Sequence, residues 1–289
     1  MNTSIVVMTH NRKNVLEQTI NGMLEQDFQG RFEIIVVNDG STDGTKQMLW
    51  EKFQNNKKVV VLNQHRSFPC KARNNGIRKA KFEFVVIMDD DCIPSRNWLK
   101  NLIDGFNSEK IGVVSSFDLY GGTSTAFRKS VLEKIGGYDE QYRYYREDTD
   151  LVFRVLDAGY EAKLVKADFT HEHKMEAPKG LLGLVAYGLE RAAYHMNDVL
   201  LYKKHPKLAK EFLGVRFGFL VSPAKDFAAA TNQWFKGGKM KLASPRGIVF
   251  LEGKNFAAKA LIVIGGISWV FTVKFFRLIA SIRFWKLLV

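Results

Sequence analysis

The chain has 289 residues, of which 46% are hydrophobic and 12% aromatic, and its formal net charge is +13. This length and composition suffice to bury the core of one large domain plus an appendage. Two cysteines, Cys70 and Cys92, exclude a disulfide framework and fit a reducing compartment. The opening residues, MNTSIVVMTHNR, have neither a basic n-region nor a long apolar run, so we expect no signal peptide and a cytoplasmic chain.

The first half of the chain alternates short apolar runs with helical patterns. Strands are predicted at 4–9, 32–38, 59–64, 82–88, 112–116 and 161–166, and helices at 14–26, 41–53, 71–80 and 98–106. Strands that are apolar on both faces and separated by helices predict an α/β fold. We expect a doubly wound, mostly parallel sheet with helices on both faces and ligands beyond the carboxyl ends of its strands.

The second half of the chain carries the charge. Residues 1–173 contain 24 Lys and Arg against 24 Asp and Glu, whereas residues 174–289 contain 19 against 6. Basic residues mixed with large apolar and aromatic ones are typical of a surface that binds anionic lipid. We therefore expect an anionic membrane surface as a partner, and no nucleic acid.

The helical pattern of the second half predicts one long helix over 180–204 and a further apolar segment near the C-terminus. Residues 260–273 are uncharged, but spanning a bilayer takes about 20 such residues. Two alternatives follow for 257–289. One is helices in the plane of a membrane, anchored by Trp269, Trp285 and basic residues such as Arg277. The other is a helical hairpin buried against a partner chain, which would make a homo-oligomer.

Three consecutive aspartates, Asp89, Asp90 and Asp91, follow the apolar strand FEFVVIM. Since alternate side chains of a strand point the same way, Asp89 and Asp91 are predicted to share a face. Neighbouring carboxylates repel one another unless a cation lies close by, and carboxylate oxygens suit Mg²⁺ or Mn²⁺. The alternative is an acidic loop in which one aspartate caps the next helix.

Polar residues also follow the first two strands. THNR, from Thr9 to Arg12, comes after the first, and Asp39 ends the second within NDGSTDGT, where Ser41 or Asp43 is suited to cap a helix. Carboxyl ends of neighbouring parallel strands meet at one edge of a sheet, so these residues predict a common ligand site.

Six motifs then reveal a resemblance: THNR, IIVVNDGSTDGT, KARNNGI, VVIMDDDCIP, GGTSTAFRKSVLEKIGGYDE and REDTDLVFRVLDAGY. In this order and spacing the chain resembles family 2 glycosyltransferases of the GT-A fold over roughly residues 3–173. The resemblance implies a GT-A catalytic domain, which we place at 1–200. The charge and apolar pattern of the second half predicts that a helical, membrane-associated region follows at 201–289. The resemblance also implies a nucleotide-sugar donor, usually a UDP-sugar, and inversion at the sugar C1.

The resemblance further implies roles for individual residues. The implied donor-binding residues are Thr9, Asn11, Arg12, Asp39, Lys71, Arg73, Asp89 and Asp90. Among them, Asp39 would accept the N3–H of the base and Asp89 would contact the ribose. Asp91 would hold Mn²⁺ or Mg²⁺ on the diphosphate, and His171, or alternatively His173, would complete the metal shell.

The implied general base is Asp148, which follows Glu147 at the start of a predicted helix. An inverting transfer needs such a base to take the proton of the acceptor hydroxyl. The plainer interpretation of this acidic helix start is a favourable interaction with the helix dipole. GGTSTAFR, at 121–128, fits a loop on the acceptor side, and Cys92 is interpreted as a packing residue.

The favoured hypothesis is transfer of one sugar per visit to a lipid-linked or cell-envelope glycan acceptor, by an enzyme peripheral on the inner face of the cell membrane. The QxxRW signature of processive synthases is absent from the sequence. Two other hypotheses are a non-catalytic nucleotide-sugar-binding or scaffold protein and a sugar nucleotidylyltransferase. The latter is disfavoured because the N-terminus has no GxGTR-type phosphate loop.

Overall fold

The computed structural model describes residues 1–172, 178–222, 226, 239–244 and 247–289. The chain forms two compact units, Met1–Glu172 and His173–Val289. The predicted domain boundary after residue 200 stays a prediction, because packing defines a compact unit whereas activity defines a catalytic domain.

The first unit contains a seven-stranded mixed sheet with the strand order β3-β2-β1-β4-β7-β6-β8. Its strands, together with the short β5 and β9, are β1 (Thr3–Thr9), β2 (Phe32–Asp39), β3 (Val59–Gln64), β4 (Phe84–Asp89), β5 (Cys92–Pro94), β6 (Ile111–Ser115), β7 (Thr125–Arg128), β8 (Glu161–Leu164) and β9 (Phe169–His171). Its helices are α1 (Lys13–Leu24), α2 (Thr45–Phe53), α3 (Pro69–Lys79), α4 (Trp98–Ile103), α5 (Lys129–Ile135) and α6 (Glu147–Asp157).

The sheet is mostly parallel, as predicted, with one reversed strand. β3, β2, β1 and β4 run parallel, β7 is antiparallel to both β4 and β6, and β8 is parallel to β6. The loop predicted over 121–128 was wrong for Thr125–Arg128, which form β7. Four residues are too few to show a strand periodicity, and it is pairing with β4 and β6 that orders them.

Apolar strand residues bury both faces of the sheet. Ile5 and Val7 of β1 lie in one core cluster with Leu16 and Ile20 of α1. On the other face, α3 approaches so closely that a Cβ at Gly76 would clash with Val6. This packing explains why the strands show continuous apolar runs and no alternation.

The predicted helix at 41–53 begins later, at Thr45. Asp43 does accept the backbone N–H of Thr45 at 3.0 Å, so it satisfies one donor of the first turn as expected. Ser41 instead accepts the backbone N–H of Asn11 at 3.0 Å. Ser41 therefore joins the loops after β1 and β2 and does not cap the helix.

The second unit is mainly helical. Its described elements are α7 (Gly180–Ala193), α8 (Met196–Lys204), α9 (Pro206–Phe212), β10 (Val215–Arg216), β11 (Leu220–Val221), β12 (Lys239–Ser244), β13 (Gly247–Glu252) and α10 (Phe256–Phe284). The single long helix predicted over 180–204 was wrong, since it divides into α7 and α8. Around the break the backbone hydrogen bonds join residues three positions apart, as from the His195 N–H to the Ala192 carbonyl. Hydrogen bonds of this spacing wind the chain more tightly than those of an α-helix.

The C-terminal apolar segment forms one continuous helix, α10, which has 29 residues. Its N-cap is Asn255, whose side chain accepts a hydrogen bond from the Ala258 N–H. Such a helix is about 43 Å long. The hairpin alternative was therefore wrong for Phe256–Phe284. Within the described part of the chain, α10 is the one helix whose length and composition would allow it to cross a membrane.

The two sides of α10 differ in character. Its inner side packs against α7 and α8, where Arg277 donates to Asp198 at 2.8 Å and both side chains are buried. Its outer side is an apolar stripe, which consists of the exposed residues Leu261, Ile264, Ile267, Phe271, Phe275, Leu278 and Ile282. Spacings of three and four residues place these side chains on one face. Arg277 was predicted to anchor a membrane interface, but its burial with Asp198 removes it from that role.

Candidate active site

The polar residues that follow β1, β2 and β4 lie together at the carboxyl edge of the sheet. The register pairs Thr9 of β1 with Asn38 of β2, and Met8 of β1 with Asp89 of β4. Thr9 and Asp39 are fully buried at these strand ends. Parallel pairing alone thus brings residues from the first, second and fourth strands to one place.

The acidic triplet straddles the end of β4. Asp89 is the last residue of the strand, whereas Asp90 and Asp91 form the turn before β5. Because the strand stops at Asp89, the alternation that predicted a shared face for Asp89 and Asp91 does not apply. Arg12 reaches both turn residues, with its Nη2 3.3 Å from Asp91 Oδ2 and its Nε 4.0 Å from Asp90 Oδ1.

His171 joins this acidic turn through the pairing of β5 with β9. In that antiparallel pair Cys92 lies opposite His171, and His171 Nε2 is 3.1 Å from Asp91 Oδ1. The hydrogen bond with Asp91 raises the pKa of His171 above its ordinary value. The alternative ligand His173 lies outside the described residues.

The buried carboxylates of the acidic turn are stable in their ionised form only with positive charge close by. Burial raises the pKa of Asp90 to about 7, even though Arg12 acts in the opposite direction. A divalent cation beside the turn would favour the ionised carboxylates. The oxygen of Asp91 and the nitrogen of His171 are chemically suitable ligands for Mn²⁺, and the oxygens also suit Mg²⁺. Asp91, Cys92 and His171 have potential ligand atoms that lie within 4.8 Å of one another.

Arg73 connects the two halves of the site. Its Nη2 is 3.2 Å from Asp89 Oδ1, and its Nη1 is 3.3 Å from Glu147 Oε1 and 3.8 Å from Asp148 Oδ1. Its side chain is buried, and the guanidinium stacks 5.4 Å from the ring centre of Tyr138. Arg73 was predicted to lie near a nucleotide, and the structure places it among carboxylates, where it holds β4 and α6 at a fixed separation.

Asp148 lies in the first turn of α6 with its carboxylate partly open to solvent, at 24% side-chain exposure. Tyr138 donates its hydroxyl to Asp148 Oδ1 at 2.9 Å. The backbone before this turn is unusual, because Tyr145 and Arg146 both have positive φ. Gly121 also lies against Asp148: its φ is +97°, and a Cβ there would be 3.0 Å from the Cβ of Asp148. Strained backbone of this kind concentrates at functional sites.

Asp39 is saturated by the loop at 64–68. Its two carboxylate oxygens accept five hydrogen bonds, from the Gln64 amide, the Arg66 guanidinium, the Ser67 N–H and hydroxyl, and the Phe68 N–H. An ionised carboxylate has about four lone-pair sites. Asp39 can therefore accept the predicted hydrogen bond from a base N3–H only if this loop gives up at least one of its hydrogen bonds to Asp39.

Two other predicted donor-binding residues occupy the rim of the site. Asn11 has φ of 55° and its Oδ1 accepts the N–H of Thr42 at 2.8 Å, which ties the loops after β1 and β2 together. Lys71 is exposed on the first turn of α3. Sequence reasoning missed Tyr138 and Arg66 as partners of Asp148 and Asp39. Both lie inside or beside the resembling motifs, but no periodicity indicates where their side chains point.

Comparisons with known proteins show the family to which the chain belongs. The model of the family "Glycosyl transferase family 2" matches residues 4–157, which is more than half of the chain. A probable glycosyltransferase, YdaM of Bacillus subtilis, is 28% identical over 218 residues, which are 61% of this chain and 51% of YdaM. TarS of Staphylococcus aureus, a poly(ribitol-phosphate) beta-N-acetylglucosaminyltransferase, is 36% identical over 104 residues, or 35% of this chain and 18% of TarS. The chain thus spans about half of YdaM and a smaller share of TarS.

Two solved structures share the fold. The mannosyltransferase PcManGT from Pyrobaculum calidifontis, in complex with GDP-Man and Mn²⁺, has a TM-score of 0.61 at 18% identity, covering 98% of this chain and 86% of that one. S. aureus TarS 1–349 in complex with UDP-GlcNAc has a TM-score of 0.54 at 18% identity, covering 99% and 93%. The GT-A fold predicted from the sequence is confirmed.

Proposed function

This chain belongs to glycosyl transferase family 2, and on that premise we propose that it transfers one sugar from a UDP-sugar to a lipid-linked or cell-envelope glycan acceptor. Transfer inverts the configuration at the sugar C1 and requires Mn²⁺ or Mg²⁺. The observation that carries the proposal is the link through Arg73, which joins Asp89, at the end of β4 beside the acidic turn, to Asp148 on the other side of the site.

The donor side of the reaction rests on the turn after β4. Asp91 and His171 would hold the metal ion, which offsets the charge that develops on the departing diphosphate. Arg12, whose Nη2 is 3.3 Å from Asp91 Oδ2, neutralises part of the charge of the acidic turn and opposes the rise in the pKa of Asp90. A UDP donor is supported by the sequence similarity to TarS, whose structure contains UDP-GlcNAc.

The acceptor side rests on Asp148. As the general base, it would take the proton of the acceptor hydroxyl while that hydroxyl attacks C1 from the face opposite the diphosphate. Its partial exposure leaves room for an acceptor, and Gly121 permits close approach on one side. Tyr138 and Arg73 are positioning residues, because they hold the carboxylate of Asp148 without touching the reacting atoms.

The second unit supports a peripheral location on the inner face of the cell membrane. The apolar stripe on α10 extends over about 32 Å, and basic residues outnumber acidic ones in residues 174–289. An in-plane helix of this type buries its apolar side in the headgroup region, and basic neighbours add attraction to anionic lipid.

The experiment that tests the proposed function is a panel of nucleotide sugars, assayed for nucleotide release with Mn²⁺, with Mg²⁺ and with excess chelator. Metal-dependent release from a UDP-sugar, increased by an envelope-glycan acceptor, is the expected result. Nucleotide binding without release from any donor would favour a non-catalytic binding protein. Pyrophosphate formed from UTP and a sugar phosphate would favour a nucleotidylyltransferase.

A further inference from the structure

A buried thiol lies beside the metal ligands of the proposed site. Cys92 is the first residue of β5, its side chain is fully buried, and it lies directly opposite His171 of β9. Side chains directly opposite each other in an antiparallel pair project from the same face, with Cβ atoms about 4.5–5.5 Å apart. The pairing of β5 with β9 therefore aligns a sulfur and an imidazole next to the carboxylate of Asp91.

The distances among these groups match a tetrahedral metal site. Asp91 Oδ1 is 3.1 Å from His171 Nε2 and 3.8 Å from Cys92 Sγ, and all three ligand atoms lie within 4.8 Å of one another. Zn²⁺ binds sulfur at about 2.3 Å and nitrogen or oxygen at about 2.0–2.2 Å, so its tetrahedral ligands are roughly 3.3–3.7 Å apart. Two of the three separations are already close to this range, and the third, between His171 Nε2 and Cys92 Sγ, is at most 4.8 Å.

We propose that Asp91, Cys92 and His171 form a Zn²⁺ site that inhibits the metal-assisted transfer. This inference rests on the proposed function, since Zn²⁺ would displace the Mn²⁺ or Mg²⁺ held there. The chemical basis is the donor set, because sulfur and imidazole nitrogen favour Zn²⁺ whereas Mg²⁺ and Mn²⁺ favour oxygen. On binding, the thiol proton of Cys92 passes to water and the thiolate bonds to the metal.

Inhibition follows from the coordination number. A tetrahedral Zn²⁺ with three protein ligands keeps a single open position. An octahedral ion held by Asp91 and His171 keeps four positions for diphosphate oxygens and water. The hydroxyl of Thr123, 3.6 Å from Cys92 Sγ, supplies a hydrogen-bond donor that would orient the sulfur. The partial exposure of His171, at 39% of its side chain, leaves the ion a path from solvent.

The test uses Co²⁺, a spectroscopic substitute for Zn²⁺, with the full-length protein. A near-ultraviolet thiolate-to-cobalt charge-transfer band is expected in the wild type and in Cys70→Ser, and not in Cys92→Ser or Cys92→Ala. Cys70 is the matched control, because it is equally buried but bonds to the Tyr142 carbonyl at 3.0 Å. In transfer assays at fixed Mn²⁺, the Zn²⁺ concentration that inhibits the wild type should be at least about tenfold lower than the concentration that inhibits Cys92→Ser. The factor is set by analogy with the loss of metal affinity that follows removal of a group supporting a metal ligand.

Bound Co²⁺ without the charge-transfer band, or equal Zn²⁺ inhibition of the wild type and Cys92→Ser, would overturn the proposal. If neither Cys92 variant folds, X-ray absorption of the Zn²⁺-loaded wild type decides: sulfur in the first shell supports the site, and oxygen and nitrogen alone refute it. The spectroscopic readout does not depend on transfer. Mn²⁺-dependent transfer without the band refutes only the Zn²⁺ site, whereas the band without transfer from any donor supports the site and refutes the proposed function.

Discussion

The hydroxyl of Tyr138 lies 2.9 Å from Oδ1 of Asp148 and donates a hydrogen bond to it. The two residues belong to different segments, since Tyr138 follows α5 and Asp148 lies in the first turn of α6. Burial, together with the charge of Asp148, raises the pKa of Tyr138 well above its ordinary value, so the phenol stays protonated and acts as the donor at any physiological pH.

The first prediction concerns this bond. We expect Tyr138→Phe to lower kcat by about 10- to 100-fold with little change in the KM for the donor. A hydrogen bond to a charged group contributes about 1.5–3 kcal/mol, and each 1.36 kcal/mol of barrier is a tenfold change in rate. Steady-state kinetics check this, with Tyr160→Phe as control, since Tyr160 lies beside Lys134. Unchanged kcat would remove Tyr138 from the positioning of Asp148.

The second prediction concerns Asp148 itself. Asp148→Asn keeps the size of the side chain but cannot accept a proton, so transfer should fall by about 10²–10⁴-fold. UDP and Mn²⁺ should still bind with near-native affinity in calorimetry. Asp157→Asn, at the exposed end of the same helix, should behave as the wild type. Lost UDP affinity in Asp148→Asn would indicate a binding or structural role.

The third prediction concerns the metal. Asp91→Asn removes the charge that stabilises a cation on the diphosphate, so metal-dependent transfer should be abolished while circular dichroism stays unchanged. A chelator should abolish transfer by the wild type, and added Mn²⁺ should restore it. Asp104→Asn, an exposed aspartate at the end of α4, is the control. Wild-type-like transfer by Asp91→Asn at saturating donor would contradict the metal assignment.

The fourth prediction concerns pH and Glu147. Burial, together with the charge of Asp148, raises the pKa of Glu147 to about 7, from an ordinary value near 4.3. Between these values the folded state binds more protons than the unfolded state, so this group makes the free energy of unfolding fall as the pH rises. Below about 4.3 both states are protonated and the effect vanishes.

The free energy of unfolding of Glu147→Gln should therefore depend less on pH than that of the wild type. Its unfolding free energy relative to the wild type should increase between pH 4.5 and 7, by roughly 3.5 kcal/mol at most. Urea unfolding at several pH values measures this, and Glu133→Gln, with a side chain 62% exposed, is the control. A difference that stays constant across this range would show that Glu147 titrates normally.

The fifth prediction concerns the apolar stripe on α10. The double variant Phe271→Ser, Phe275→Ser loses two exposed aromatic rings of the stripe. It should show reduced flotation with anionic liposomes, because apolar burial drives interfacial binding. High salt should weaken binding of the wild type without abolishing it, since salt screens only the electrostatic part. Trp50→Ser removes an equally exposed aromatic residue from α2 and should float normally. A wild type that does not float would indicate that the stripe contacts another protein.

Much of the first unit was determined by the local sequence. The predicted third strand coincides with β3 at Val59–Gln64, and the other long strands differ by only a few residues at their ends. Continuous apolar runs define buried strands whatever their neighbours are. The position of Thr9, Asp39 and Asp89 at one edge followed as well, since parallel strands bring their carboxyl ends together.

Only the tertiary structure decided the contacts that give these residues their chemistry. Arg73 contacts Asp148, which lies 75 positions later in the chain, and His171 contacts Asp91 through the pairing of the three-residue strands β5 and β9. Strands this short show no periodicity, and their pairing depends on the packing of the whole unit. The ion pair between Arg277 and Asp198 also depends on packing. Arg277 was predicted to be a membrane anchor, and it is instead buried inside the second unit. Local patterns determine the long strands and most of the helices, because apolar periodicity marks them whatever their neighbours are. The short strands and the partners of a charged side chain depend on long-range packing that no local pattern encodes.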